Sequence, residues 1–398
     1  MQFEIGPDLG RALAKGIAIS LVTVFTFMPV VILYTFRWID KTGHRPLLPS
    51  FEKFGKIVTK VMLPAVIVFA VVIAPAYLAS NANSFYYGAS HIFGPKTQLG
   101  RDTQTIEEAF GKSDTYVLMV SKSDLTTQKE LSDELHDMDE VSGIISYVDT
   151  VGEEVPESYL DAATLKKLMS DRYARMVISV RAESEGDATF MLVKNIRACA
   201  EKYYPGEWYL AGEGVSTCDL MDTITSDMAK VNLVAIGAVF FALLLTMRSL
   251  VLPVILVLSI ETAVWLNFAI PYFSGSSIFY IAYLIISSIQ LGATVDYAIL
   301  FTERYKESRQ SMGKKEAVIA TVSSTTVSIL TSGSIMTMVG FLLGVISIHG
   351  LLSQLGFFLG KGTLLSLMIV FFALPGLLYL FDGVFIRKKG VRNHEKQE

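Results

Sequence analysis

Seven long runs of apolar residues constrain this chain more than any other feature of its sequence. Each holds at least about 18 residues, the length that crosses the hydrocarbon core of a bilayer as a helix. They lie near residues 13–36, 61–80, 231–247, 251–272, 278–302, 318–346 and 354–386. The 398-residue chain is 52% hydrophobic and only 18% charged, and its mean hydropathy is +0.46. These values exclude an ordinary soluble protein and predict a multi-pass membrane protein.

The distribution of Lys and Arg predicts the orientation of the helices, because these residues favour the cytoplasmic side of short loops. The first loop, the ERYKESRQSMGKKE loop (303–316) and the tail 387–398 are basic. The alternate turns PYFSGSS (271–277) and SIHG (347–350) contain no Lys or Arg. We expect a plasma membrane protein, bacterial in origin, with a cytoplasmic C-terminus and the polar insert at 82–228 outside.

The first apolar run is repeated in the last one. LGRALAKGIAISLVTVFTFMP (9–29) aligns without gaps with LGFFLGKGTLLSLMIVFFALP (355–375), and LG, KG, Ser and Pro stay in register. Internal duplication is a known signature of transporter folds. We therefore expect the first helix to end a preceding repeat and residues from about 55 onward to form the next one. The sequence then represents a truncated gene, a fragment, or a half-unit that needs a partner.

The polar insert alternates strand-like and helix-like patterns. The predicted order is strand, helix, strand at 115–121, 126–139 and 141–149, and again at 174–182, 186–203 and 207–213. Two consecutive units of this kind predict a split, ferredoxin-like α+β sandwich.

These patterns divide the chain into five segments. They are 1–54, the last helix of a preceding repeat with a cytoplasmic linker; 55–81, the first helix of the second repeat; 82–228, the extracytoplasmic domain; 229–386, a five-helix bundle; and 387–398, a basic cytoplasmic tail.

Asp296 and Tyr297 interrupt the apolar run in LGATVDYAILFTERY (291–305). Asp296 lies roughly 7–10 Å inside the cytoplasmic face of the membrane, too deep for its short side chain to reach water. An ionised Asp near the centre of a membrane helix costs about 2.5–3.5 kcal/mol, so such residues usually serve ion or proton pathways. The pair predicts a proton relay; a buried neutral Asp held by hydrogen bonds is the alternative.

Other polar residues in the apolar runs have open roles. Glu261, in LSIETAVWLNFAIPYF (258–273), needs a partner, a proton or water, and is a possible supporting residue of the relay. Asn267 and Gln290 predict interhelical hydrogen bonds. Lys15 and Lys361 correspond through the repeat and favour anchoring at the interface.

Hydroxyl residues near the Asp-Tyr pair form a further group. Thr294 precedes the pair, and Thr321, Ser324, Ser328 and Thr331 lie at helical spacing on one face of the next run. Small hydroxyl residues permit close helix packing, and they can also line a proton route. The candidate supporting residues of the relay are therefore Thr294, Ser324, Ser328 and Thr331.

Several classes of function find no support in the sequence. No Ser/His/Asp arrangement, Walker loop or His/Cys metal spacing occurs, so we expect neither an enzyme nor a metal or cofactor site. The net charge of −4 is sorted by membrane side and does not indicate nucleic acid binding. Cys199 and Cys218 both lie in the insert, where a disulfide is permitted, but two cysteines alone do not predict one.

LGATVDYAILFTERY, the EAVIATVSSTT segment (316–326) and the duplicated KG…P helix together resemble an MMPL-type transporter of the resistance-nodulation-division (RND) superfamily. The resemblance covers nearly the whole chain, as the C-terminal half plus the last helix of the first half. It implies a polytopic RND-type helical bundle of about seven transmembrane helices with an extracytoplasmic α+β ferredoxin-like domain. Asp296 and Tyr297 would be this repeat's share of the proton relay.

The resemblance also implies a function. It is proton-motive-force-driven export of lipids, drugs or other hydrophobic compounds, with the proton gradient as energy source and no cofactor. The implied partners are membrane lipids, the hydrophobic substrate, and a missing N-terminal repeat or second protomer. Two alternatives stay open: a sterol-sensing-like lipid sensor or scaffold, and an accessory component of protein secretion.

Overall fold

The computed structural model describes residues 5–42, 51–88, 92–94, 97–122, 124–247 and 249–385. The helices are α1 (Ile5–Lys41), α2 (Glu52–Asn81), α3 (Gln98–Phe110), α4 (Leu125–His136), α5 (Tyr147–Thr150), α6 (Ala162–Leu168), α7 (Asp187–Tyr203), α8 (Glu213–Met247), α9 (Val251–Ser274), α10 (Tyr280–Arg309), α11 (Lys314–Ile346), α12 (Gly350–Met368) and α13 (Leu374–Phe385). The strands are β1 (Phe85–Tyr86), β2 (Asp114–Ser121), β3 (Val141–Ile145), β4 (Tyr173–Val180), β5 (Trp208–Ala211) and β6 (Ile278–Phe279). A 3₁₀ turn spans Glu157–Tyr159 and a π-helical segment spans Ile369–Ala373. The basic tail predicted at 387–398 lies outside the described residues.

Seven helical spans in the described part of the chain are long and apolar enough to cross a membrane. They are α1, α2, α8, α9, α10, α11 and the continuous helix formed by α12, the π segment and α13. Each of the seven predicted runs falls on one of these spans. The chain is therefore a polytopic helical membrane protein with an additional α+β part, as predicted.

The core of the bundle lies among α2 and α8 to α13. Met62, Leu256, Phe301, Val322 and Leu374 are at most 1% exposed and belong to one cluster. They come from five different helices, so this cluster joins the bundle into one packed unit. Because lipid tails are as apolar as these side chains, close van der Waals packing rather than removal from water stabilises this cluster.

The packing of α11 against α12 depends on glycine. A Cβ atom added at Gly340 would lie 2.8 Å from the Cα of Gly360, and one at Gly356 would lie 2.8 Å from the Cα of Gly344. Real Cβ atoms do not approach so closely, so side chains at these positions would separate the two helices. The absence of side chains permits close backbone contact, a common device in membrane bundles.

The last span accommodates Pro375 inside a membrane helix. Proline has no N–H, and its ring clashes with the carbonyl four residues earlier. The π-helical segment Ile369–Ala373 lies directly before it. We attribute this wider turn to the proline, since π segments relieve such a conflict without ending the helix.

The two copies of the repeated helix have different surroundings. Along α1, every residue of described burial is exposed except Thr35, which is half-buried. A Cβ added at Gly10 or Gly16 would meet no atom within 4 Å. At the corresponding Gly356 and Gly362 it would collide with neighbouring helices. The residue pattern of α1 is thus one that packs closely in α12, but its packing partner is not within the described residues.

The α+β part has the predicted ferredoxin-like topology. Its sheet has the order β3-β4-β2-β5, and each neighbouring pair is antiparallel. Leu131 of α4 and Ile196 of α7 are fully buried against Leu118 and Met176 of the sheet. Helices on one face of an antiparallel sheet enclose a single core, as expected for two split β-α-β units.

One strand of the insert is shorter than predicted. The strand expected over 141–149 ends at Ile145, and Tyr147–Thr150 forms a helical turn instead. The hydroxyl of Ser146 accepts a hydrogen bond from the backbone N–H of Asp149 at 3.2 Å. This N-cap stops the strand because it satisfies a donor that a helical turn leaves free. Cys199 and Cys218 are both buried and free.

Three connections fix the α+β part on the bundle. α8 runs without a break from the insert into the bundle, and β1 pairs with β6 in parallel immediately before α10. The ring of Tyr87 stacks on Tyr280 at 5.8 Å. Within the α+β part itself, the backbone N–H groups of Tyr87 and Gly88 donate to the Glu185 carboxylate at 2.9 and 3.1 Å, next to this stack. The first turn of α10 is therefore held directly against the insert. We refer to this end of the bundle as the domain end and to the opposite end as the loop end.

Candidate functional site

Asp296 lies about midway along α10, and its side chain is exposed on the outer surface of the bundle. Among the described residues, none forms a hydrogen bond or ion pair with it. A neutral Asp held by hydrogen bonds inside this chain is therefore not what the structure shows. A carboxylate at this depth needs a partner or a proton, and neither is supplied by its own bundle.

Asp296 belongs to a stripe of small or polar residues on one face of α10. Ser288, Gly292 and Asp296 are spaced by four residues and all three are exposed, so they lie above one another on the helix surface. Nothing lies within 4 Å of a Cβ added at Gly292. A stripe of small residues permits another helix to approach closely. We call these three residues the Asp296 stripe.

The hydroxyl residues of α11 divide between two faces. Ser324, Ser328 and Thr331 are exposed, whereas Thr321 and Thr325 are buried. The hydroxyl of Thr325 donates to the carbonyl of Thr321 at 2.8 Å. The prediction of one continuous hydroxyl face that includes Thr321 was therefore wrong. The hydroxyls of Ser324, Ser328 and Thr331 lie outward. Of the two inner ones, Thr325 bonds within the helix, and the Thr321 hydroxyl has no hydrogen-bond partner among the described residues.

Tyr297 and Thr294 are both buried and bonded within the bundle. The Tyr297 hydroxyl lies 3.2 Å from the Ser332 hydroxyl of α11. Thr294 donates to the carbonyl of Gln290, one turn earlier in α10. Tyr297 thus joins α10 to α11, on a different face from Asp296, as their sequence adjacency requires. Thr294 does not reach the Asp296 stripe.

Asn267 and Gln290 form the predicted interhelical hydrogen bonds. The Asn267 amide donates to the Gln290 side chain and to the carbonyl of Phe358, both at 2.9 Å. Gln290 donates to the carbonyl of Gly362 at 3.2 Å and to Ser366 at 3.3 Å. This network joins α9, α10 and α12 at the centre of the bundle. Three of these four hydrogen bonds go to α12, which favours a structural role, and the buried Oδ1 of Asn267 has no partner among the described residues.

Glu261 lies apart from Asp296, in a cavity between α2, α8, α9 and α10. The side chain is 9% exposed, and it forms no hydrogen bond or ion pair with the described residues. Asp296 does not line this cavity, but Ser288, at the domain end of the stripe, does. The structure does not bring the two carboxylates together in one site.

The sequence patterns did not predict a buried ion pair that lies at the loop end. Asp382 of α13 is 2% exposed. It accepts hydrogen bonds from the Tyr305 hydroxyl at 2.9 Å and from Nε and Nη2 of Arg309 at 2.7 and 3.0 Å. The signal that could have revealed it is a lone carboxylate in the apolar segment LLYLFDGVF. The pair joins α13 to the end of α10.

Lys361 of α12 is half-buried. Its Nζ lies 4.8 Å from the ring centroid of Phe358. No group of three or more His, Cys, Asp and Glu side chains that could hold a metal occurs in the described parts of the chain.

The Asp296 stripe falls within a stretch that matches a known family. The family model of MMPL proteins matches residues 91–395, about three quarters of the chain. The chain belongs to the MMPL family. MMPL proteins are membrane transporters, and the matched residues include α8 to α13 and the four-stranded sheet.

Two proteins of Streptomyces coelicolor are similar to this MMPL chain. ActII-3, named as a membrane protein, is 21% identical over 388 residues, which cover 91% of this chain and 50% of ActII-3. SCO0839, also named as a membrane protein, is 24% identical over 387 residues, which cover 91% of this chain and 52% of SCO0839. The MMPL chain spans about half the length of the curated relatives it matches.

Proposed function

We propose that this MMPL chain is one half of a proton-motive-force-driven transporter that exports lipids, drugs or other hydrophobic compounds. The observation that carries the proposal is the exposed carboxylate of Asp296 at mid-span of α10. An ionised Asp there costs about 2.5–3.5 kcal/mol in a lipid environment, so the side chain requires either a partner or a proton. A group poised between these two conditions is suited to carrying protons.

A second repeat, or a second protomer, would cover the Asp296 stripe. The small residues of the stripe leave room for a helix to approach, and the outward hydroxyls of Ser324, Ser328 and Thr331 lie on the neighbouring α11. The unpacked glycines of α1 support the same view, because their counterparts in α12 pack closely. The chain aligns with about half the length of ActII-3 and of SCO0839, which agrees with a second half that completes the transporter.

The mechanism follows from the change in charge at Asp296. Protonation removes the cost of burying the carboxylate, so the stripe packs tightly against its partner when neutral and separates when ionised. Tyr297 would transmit the movement to α11 through Ser332. The stacking of Tyr87 on Tyr280 and the β1–β6 pairing would carry it to the α+β domain. One proton crossing a potential of about 100 mV supplies about 2.3 kcal/mol, comparable with the burial cost of the charge.

The proposal also includes the orientation of the chain in the membrane. Lys and Arg accumulate at the loop end, in the last turns of α10 and the first turn of α11. The positive-inside rule therefore places the loop end and the C-terminus in the cytoplasm, and the α+β domain outside the cell membrane.

Proton flux in proteoliposomes tests the proposal. The chain is co-reconstituted with the segment that supplies the missing repeat, a pH-sensitive dye is trapped inside, and a hydrophobic fluorescent dye serves as the transport probe. We expect Asp296→Asn to reduce coupled flux about 100-fold or more, the usual scale for loss of a proton-transfer group. Glu303→Gln, which removes a carboxylate of the same helix paired with Lys306 at 2.9 Å, is the matched control and should retain flux. Undiminished coupled transport by Asp296→Asn would overturn the proposal.

A further inference from the structure

The cavity between α2, α8, α9 and α10 has a volume of about 290 Å³. Its charged group is Glu261, and its walls include the rings of Tyr77, Trp265 and Tyr283. We propose that this cavity binds the ammonium headgroup of a cationic amphiphile, with Glu261 as the counter-charge. The proposal concerns binding alone and does not depend on proton transfer at Asp296.

The electrostatic argument begins with Glu261. Its side chain is nine-tenths buried, and no Lys or Arg lines the described walls of the cavity. Buried carboxylates are normally paired, and an unpaired charge in this environment is costly. A cationic ligand would offset that cost, whereas an anionic headgroup would add repulsion.

The aromatic walls favour an organic cation. Ammonium groups bind over the faces of Trp and Tyr rings with about 0.5–2 kcal/mol each, depending on desolvation. Tyr77 and Trp265 pack edge to face at 5.1 Å. Tyr283 accepts a hydrogen bond from Asn232 at 3.1 Å, which holds its hydroxyl at the cavity wall. A metal ion is disfavoured, because it would need several oxygen or nitrogen ligands, and no cluster of three such acidic or His side chains occurs among the described residues.

The size and surroundings of the cavity point to an amphiphile. Ligand pockets usually measure about 300–1,000 Å³, so this one holds a headgroup but not a whole lipid. Glu261 precedes Ser274, the last residue of α9, by 13 residues. The rise of an α-helix therefore places Glu261 roughly 20 Å from the domain end. Leu233 of α8 lines the cavity and is 73% exposed on the outer surface of the bundle. The ligand's apolar chain could therefore extend past Leu233 into the lipid.

Fluorescence of Trp265 provides the test. The chain contains three Trp residues, so Trp38→Phe and Trp208→Phe leave Trp265 as the reporter. The purified chain in an uncharged maltoside detergent is titrated with dodecyltrimethylammonium, and the matched neutral probe is dodecanol. We expect a saturable signal with the cation and none with dodecanol at equal concentration.

Two variants test whether binding depends on the Glu261 carboxylate itself or on the loss of any carboxylate from the bundle. Glu261→Gln should weaken binding of dodecyltrimethylammonium on the order of 30-fold or more, because it removes one partner of a buried charge pair. Glu303→Gln, outside the cavity, should leave the affinity unchanged. Equal affinity of Glu261→Gln and the parent, or equally tight binding of dodecanol, would overturn the proposal. The comparison of the two probes needs no Glu261 variant and holds even if that variant fails to fold.

Competition with the bound probe shows which kind of molecule supplies the ammonium group. Displacement of the probe by a short-chain phosphatidylethanolamine would identify a lipid headgroup as the ligand. Displacement by tetraethylammonium alone would identify a free cation. Failure of both, together with failure of dodecyltrimethylammonium, would exclude an ammonium site. If binding persists while Asp296→Asn abolishes transport, or the reverse, the two proposals are distinguished.

Discussion

Replacing Asp382 by Asn removes the negative charge that holds the loop end of the bundle together. Asp382 is 2% exposed and accepts three hydrogen bonds, at 2.7, 2.9 and 3.0 Å, from Tyr305 and Arg309. The side chain of Arg309 is 13% exposed. In Asp382→Asn its guanidinium is left without a counter-charge from Asp382. An Asn can also turn its amide N–H₂ toward that cation, which adds a repulsive contact.

The expected loss of stability follows from the burial of the pair. Breaking a buried ion pair from one side costs about 3–5 kcal/mol. Arg309 ends α10, so part of this cost is relieved when its long side chain reaches toward water. We therefore expect about 3 kcal/mol, with an apparent melting temperature lower by roughly 5 °C or more. The measurement is thermal unfolding of the purified chain in detergent, followed by intrinsic fluorescence.

Two further variants make the prediction refutable. Glu307→Gln removes a carboxylate from an exposed pair with Arg304 and should change stability by less than about 1 kcal/mol. The double variant Asp382→Asn with Arg309→Met removes both buried charges and should recover most of the loss. Equal melting temperatures for Asp382→Asn and Glu307→Gln, or a double variant no more stable than the single, would refute the reasoning.

Two other predictions concern packing and thiol chemistry. Gly356→Ala should destabilise the chain by about 1–3 kcal/mol through overpacking, because its Cβ would lie 2.7 Å from the Gly340 carbonyl oxygen; Gly10→Ala, at the equivalent position of α1, should be neutral or slightly stabilising in the same thermal assay, and an indifferent Gly356→Ala would contradict the packing argument. Burial, together with the nearby Glu134 carboxylate, raises the pKa of the Cys199 thiol to about 11, so at pH 8 its thiolate is roughly 100-fold scarcer than that of an ordinary cysteine. Peptide mapping after iodoacetamide treatment should show slow labelling of Cys199 in the folded chain and fast labelling after unfolding; rapid native labelling at pH 8 would contradict it.

Much of the architecture could be predicted from the sequence because the bilayer and the sheet impose simple periodicities. In lipid, each backbone N–H and C=O must bond within its own helix, so an apolar run of sufficient length has few alternatives. The alternation of strands and helices in the insert likewise predicted the ferredoxin-like order. The strand expected to reach 149 was the exception, since the local cap at Ser146 outweighed the β-rich pattern.

The candidate site could be predicted by residue type but not by environment. Asp296 and Glu261 are both carboxylates within apolar runs, and no sequence pattern distinguishes their surroundings. The structure exposes Asp296 on the outside of the bundle and encloses Glu261 in a cavity. The hydroxyls of α11 also divide between two faces, which spacing alone did not reveal.

The sequence by itself determined where the membrane helices lie, how the insert alternates, and which polar residues lie within apolar runs. Only the tertiary structure decided which of these polar residues have partners. Asp382 pairs with Arg309, 73 positions away in the chain, and Asn267 bonds to Phe358, 91 positions away. The physical reason is that a helix apolar on nearly all sides carries no periodic signal for its neighbours. Contacts between distant residues choose the inner face, and they leave Asp296 on the outer one.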